Sequence, residues 1–149
     1  MKDELIKDLE NARKNLLEVI SKIPEDFVID KWGKKELLAH FCGWDEEDVV
    51  CIPQILSGQK PKSLRMSMNR FNEENVSKRK DKSVKELLEE MKSSRKNFLK
   101  QLSSLTEEQI TGFFGTVLGK KEINLLWIIK ETIDHDKNHT KDIEGKTDL

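Results

Sequence analysis

Proline and glycine are scarce in this chain, three and seven in 149 residues. That is too few for an all-β protein, which turns about every ten residues. Cysteine occurs twice, as Cys42 and Cys51, and gives no disulfide framework. On one helix the two would stand roughly 13 Å apart along the axis. A disulfide holds its Cα atoms about 4.4–6.8 Å apart, so two reduced, partly buried thiols are expected. No apolar run approaches the ~20 residues that span a bilayer, and no membrane partner is expected. The opening MKDELIKDLE is charged and amphipathic, unlike a signal peptide, which points to the cytoplasm. Positive charge is not in excess either. Against 27 Lys and Arg stand 28 Asp and Glu, for a net charge of −1 and a pI of 6.3. Nucleic-acid binders usually carry a basic surplus, so no nucleic acid is expected as a partner.

What the chain does have is helical periodicity. Its length suits one domain over residues 1–149 with a real core. Leu5, Ile6, Leu9, Leu16, Val19, Ile20 and Ile23 recur in steps of three and four, predicting a helix from Lys2 to about Ile23 that Pro24 ends. A loop leads to Gly33. A second helix is expected over Lys34–Leu56, with Leu37, Phe41, Trp44, Cys51 and Ile55 on one face and Pro53 kinking or breaking its last turn. Residues 58–82 lack a period and read as a long connection with a short helix around 69–80. Ser83 with Glu86 is a capping-box signature that opens a helix to about Leu105. Thr106 with Gln109 marks a short helical turn. GFFGTVLGKK reads as a loop or a brief extended pair. A last helix runs from Lys121 to Glu144, with Gly145 placed to stop it.

Four long helices without a convincing strand predict an all-α four-helix bundle. The first two are joined by about ten residues and can run antiparallel, whereas about 25 residues between the second and third allow a crossover that leaves those parallel. The order is then up-down-down-up.

The three histidines, His40, His135 and His139, are the most informative residues. Leu125, Ile128, Thr132, His135, His139 and Ile143 share one stripe of the last helix at ~100° per residue. The H-x-x-x-H spacing puts two imidazoles on adjacent turns, close enough for one cation. His40 is about two turns into the second helix and His139 about two turns from the end of the last. Antiparallel neighbours would bring all three to one level. A lone inward histidine is more often a satisfied core residue, but three at one depth with none elsewhere favour a shared divalent metal. Without a common partner, each buried ring would cost about 1–3 kcal/mol.

Asp136 follows the first histidine of the pair where zincins have Glu, so this is not the zincin motif. It lies at the rim of the stripe, where it can orient an imidazole or act as a base. In Trp44-Asp45-Glu46-Glu47-Asp48, Glu47 and Asp48 fall near the Trp44 face and are candidates to hold an imidazole tautomer, while Asp45 turns away. The alternative for all of them is a solvated patch beside the site. Trp32, Trp44, Trp127 and Phe113–Phe114 can line a pocket, although core packing is their commoner role.

KWGKKELLAHFCGWDEE resembles the second helix of the DinB superfamily, the YfiT-like metal-dependent enzymes, and ETIDHDKNHTKDI resembles its fourth-helix histidine pair. The stretch from Phe71 to Ile110 is similar to the ClbS/DfsB branch of that fold. The resemblance implies a DinB/YfiT-like bundle, often a homodimer, in which His40, His135 and His139 bind nickel or zinc. It carries no catalytic acid or base over with comparable force. It implies a thiol S-transferase or hydrolase acting on an electrophilic small molecule, with a low-molecular-weight thiol as a possible co-substrate. The alternative is a non-catalytic small-molecule binder or a ClbS/DfsB-like self-protection bundle.

Overall fold

The computed structural model describes residues 1–113, 117–118 and 121–147. These form helices α1 (Lys2–Ser21), α2 (Lys34–Leu56), α3 (Met68–Lys78), α4 (Val84–Ser103), α5 (Glu107–Thr111) and α6 (Leu125–Thr147). Two antiparallel ladders of two residues per strand accompany them. One pairs β1 (Val28–Ile29) with β2 (Trp32–Gly33), the other β3 (Val117–Leu118) with β4 (Lys121–Glu122). The all-α bundle is the architecture expected. No helix among the described residues is long and apolar enough to cross a membrane.

Contacts between the long helices fix their directions. His40 meets His139 and Asp48 meets Thr132, so α2 and α6 are antiparallel. The Cys42 thiol lies 3.2 Å from the Leu87 carbonyl and Asp45 meets Arg95 two turns along, so α2 and α4 are parallel. Leu5 and Leu9 share a cluster with Leu125 and Ile129, while Leu16 and Ile20 share one with Ile143, so α1 and α6 are parallel too. This is the up-down-down-up order.

Several ends differ from expectation. The last helix starts at Leu125, because Lys121 and Glu122 pair with the short strand before them. It continues past Gly145 to Thr147; nothing packs near that glycine, and an interior glycine costs only about 1 kcal/mol. α2 likewise passes through Pro53, which near a helix end forfeits a single hydrogen bond. The loop before α2 is a hairpin whose first turn residue, Asp30, takes φ 54°, a left-handed conformation that Asp tolerates. Both capping boxes form, Ser83 with Glu86 and Thr106 with Gln109. Cys42 and Cys51 are free and buried.

From Leu37 to Gly43 every residue of α2 is buried, which explains why this helix shows a weak amphipathic pattern. It is enclosed by α3, α4 and α6. Gly43 makes the α3 contact possible: a Cβ there would stand 2.3 Å from the Asn75 side chain. α3 is held further by Trp44 packing on Phe71 and by Arg79, which bridges Glu46 and Glu90. Between the exposed Lys78 and Lys80, Arg79 is buried.

Candidate metal centre and its cavity

α2 and α6 bring the three histidines together. His139 Nε2 stands 3.0 Å from His135 Nε2 and 3.3 Å from His40 Nε2. Two nitrogens about 2.0–2.1 Å from one ion lie about 2.9–3.4 Å apart for angles between a right angle and the tetrahedral value. The rings are also in the right protonation state. Burial, then the neighbouring imidazoles, pushes His40 down to about 3. Burial and His139 push His135 to about 4, and burial lowers His139 as well.

Hydrogen bonding among the rings cannot explain this geometry. Each ring nitrogen offers either one hydrogen or one in-plane lone pair. His139 Nε2 can thus satisfy one of its two close neighbours, not both. A single cation accepting three lone pairs satisfies all of them, and the donor set fits a divalent ion with an open position. His40 Nδ1 is buried, with no hydrogen-bond partner among the described residues.

The triad faces a cavity of about 410 Å³. Trp32, Trp44 and Trp127 form its aromatic walls, with Leu64, Met68 and Ile128 between them. Trp32 arrives on the hairpin and lies 4.6 Å from the His40 ring. The Trp44 indole donates to Asn72 Oδ1 at 2.8 Å, which ties the cavity wall to α3. Phe113 is exposed, and Phe114 lies outside the described residues.

The three candidate carboxylates have separate fates. Asp136 is at 1% exposure, deep inside and not at the rim. It accepts from Arg13 Nε at 3.0 Å and Nη2 at 3.1 Å, and from Arg95 Nη1 at 3.0 Å. Burial opposes its charge, but the two guanidinium groups prevail and hold it below the usual carboxylate range. Glu47 accepts the Ser63 backbone N–H at 2.6 Å and pins the 60s connection. Asp48 lines the cavity beside Thr132, and burial pushes it up to about 8.

Asp45 does not turn away. It is buried and accepts from Arg13 at 2.7 and 2.8 Å, with Arg95 Nη2 at 3.5 Å. Arg13, Asp45, Arg95 and Asp136 thus form a closed layer of two cations and two anions, of which Asp45, Arg95 and Asp136 also line the cavity. It separates the two apolar clusters of the core, falling between Ala12 and Leu16, Cys42 and Ile52, Met91 and Phe98, and Ile133 and Ile143. Sequence reasoning missed Arg13 and Arg95. The signal was present: Arg95 falls on the stripe of Leu87, Met91, Phe98 and Leu102, and Arg13 beside Ala12 and Leu16.

No family model and no curated protein matches the chain. Two solved structures match its fold. One is an uncharacterised protein from Escherichia coli UTI89, at TM-score 0.77 and 13% identity, over 99% of this chain and 93% of that one. The other is the colibactin self-resistance protein ClbS in complex with a dsDNA, at TM-score 0.78 and 14% identity, over 99% and 96%. The chain has a ClbS-like helical fold. At these identities the likeness establishes the fold alone.

The ClbS complex overturns the exclusion of nucleic acid drawn from the charge balance. Net charge sums over the whole surface, whereas phosphate binding depends on where Lys and Arg cluster. Here the 57–72 stretch carries Lys60, Lys62, Arg65 and Arg70, all exposed, and no acidic residue. Glu74 pairs with Lys62 at 3.3 Å and with Arg70 at 3.4 Å, which leaves Lys60 and Arg65 as the cations of this stretch outside those ion pairs.

Proposed function

We propose that the chain is a self-protection bundle of the ClbS-like kind, which takes an electrophilic small molecule into the tryptophan-walled cavity and disarms it beside a divalent cation. The observation that carries this is the convergence of three neutral imidazole nitrogens, 3.0 and 3.3 Å apart, on an apolar cavity. His40, His135 and His139 would hold the ion, nickel or zinc. Such an ion supplies a Lewis-acidic open position that favours a thiolate or activates water. The tryptophans clasp an apolar body and exclude water. The ionic layer keeps the four helices in register. The DinB-like placement and a homodimer, both implied by the motifs, belong to the same proposal. Transfer of a low-molecular-weight thiol and hydrolysis are the two chemistries this site supports.

Titration calorimetry with nickel and zinc at neutral pH is expected to show one ion per chain, and no binding to His40→Ala, His135→Ala or His139→Ala. Absence of binding to the wild type would remove the metal. A panel of electrophiles, with and without added thiol, separates transfer from hydrolysis. Consumption at the same rate by loaded wild type and His40→Ala would leave a non-catalytic binder.

Duplex DNA is a second partner to test, on the strength of the exposed Lys60, Lys62, Arg65 and Arg70, of which Lys62 and Arg70 also meet Glu74. Binding there should weaken steeply with salt. It should fall in a Lys60→Gln, Lys62→Gln, Arg65→Gln variant while metal binding is kept; an unchanged salt slope would dismiss the stretch as the interface.

A further inference from the structure

Asp48 and Glu47 are buried carboxylates outside the ionic layer; Glu47 accepts the Ser63 N–H, and Asp48 faces the cavity. Within the layer, Arg13 and Arg95 are matched by Asp45 and Asp136, two against two, with every pair within 3.5 Å. Asp48 is 7% exposed, and among the described residues no Arg or Lys is bonded to it. Its neighbour is the Thr132 hydroxyl at 3.1 Å, which also lies 3.0 Å from the Ile128 carbonyl. A hydroxyl has one hydrogen. Both contacts are full two-centre hydrogen bonds, without a shared hydrogen, when Asp48 keeps its proton and donates to Thr132 Oγ1. Thr132 precedes His135 by three residues on α6, about 4.5 Å of axial rise, so Asp48 lines the cavity one turn from the histidines.

We propose that Asp48 is the proton donor of this cavity, and that the molecules it serves are carbonyl-bearing electrophiles. This rests on the reading of the cavity as an electrophile site. A thiol or water adds to the carbonyl carbon, or to the conjugated carbon beyond it, forming the new bond. The C=O π pair moves onto oxygen, and in conjugate addition the C=C pair shifts to form the enol; the oxygen takes the Asp48 proton, which leaves its hydrogen bond to Thr132 as it transfers. The nucleophile's own proton then returns to the Asp48 carboxylate, so atoms and charge balance over the cycle. The groups around Asp48 set its poise. Burial opposes its ionisation, as do Asp45 on its own helix and Asp136 on α6, while Arg95 on α4 and the Thr132 hydroxyl favour it; Cys51, Glu47 and Arg13 complete the charged and titratable surroundings. Burial and the acidic neighbours prevail, and Asp48 is pushed up to about 8.

The test uses cinnamaldehyde, an aromatic conjugated aldehyde, with the metal-loaded protein. Quenching of the cavity tryptophans reports entry, and the infrared carbonyl stretch reports the proton donor. The stretch should shift down on binding at pH 6.5 and lose that shift as pH rises through about 8. Asp48→Leu should bind the aldehyde without the shift. Asp48→Asn, of the same shape and with an amide donor, should give a smaller shift that no longer depends on pH. No quenching would overturn the electrophile site and the donor role with it. Quenching with a shift that is pH-independent in the wild type, or unchanged in Asp48→Leu, would overturn the role of Asp48 alone.

Discussion

Removing one member of the Arg13–Asp45–Arg95–Asp136 layer leaves a buried charge without its partner. Such losses cost about 3–5 kcal/mol, more than the hydrogen bonds alone would predict. Arg13→Met is therefore expected to lower unfolding stability by that amount in urea, because Asp45 and Asp136 then face each other with Arg95 as their one cation. The paired change Arg13→Met with Asp45→Leu should recover much of the loss, since it withdraws opposite charges together. If the double variant is as unstable as the sum of the single ones, the layer is not a coupled unit. Residue chemistry was legible in uneven measure. The histidines stood out because polar rings interrupt an apolar stripe. Arg13 and Arg95 did the same and were passed over, since a long basic side chain on an inward position can usually reach water. Their partners Asp45 and Asp136 are close in space but 91 residues apart in sequence, and no local pattern joins them.

At the scale of elements, the long helices were legible from periodicity and capping boxes, and connection lengths sufficed for their order. The weak points were the short pieces. Asp30–Lys31 makes a hairpin turn without the usual glycine, and α3 shows an isolated Phe71 and Val76 in a polar run. α3 takes its place from tertiary contacts, with Asn75 set into the notch at Gly43 and Arg79 clamped between two glutamates. Gly43→Ala should improve helix propensity by about 1 kcal/mol yet collide with Asn75. Overpacking of that kind costs about 1–3 kcal/mol, so the net change is destabilising or near zero. The wall of the cavity should suffer more than the bundle. Amides of 68–78 are expected to exchange faster with deuterium in Gly43→Ala, while those of α1 and α6 keep their protection. Uniform loss across all helices would show that α3 is not a separable strap.

The whole molecule should carry the two kinds of buried titrating group as opposite slopes of stability against pH. For the metal-free chain, His40 and His135 titrate at about 3 and about 4 when folded, against about 6.5 when unfolded. Between those values the unfolded chain binds more protons, so their contribution is complete above about 6.5 and is lost as pH falls. Asp48 behaves inversely. Its folded value of about 8 lies above about 3.9 unfolded, so its contribution is present in acid and is lost as pH rises to 8. From pH 4 to 6.5 two imidazoles outweigh one carboxyl, and stability should climb by about 1.4 kcal/mol per pH unit, the value of one net proton. The lowered His139 adds to that climb. From 6.5 to 8 Asp48 acts alone, and stability should decline by at most the same slope. Urea unfolding at half-unit steps of pH, with chelator present, should therefore show a maximum near pH 6.5. Asp48→Asn should steepen the acid limb towards about 2.7 kcal/mol per pH unit, the value of two protons, and flatten the alkaline one. Saturating zinc should raise the curve at neutral pH, by about 2.7 kcal/mol at one hundred times the dissociation constant, and steepen the acid limb as protons displace the ion. A wild-type curve that goes on rising from pH 6.5 to 8 would mean that Asp48 is ionised in the folded chain.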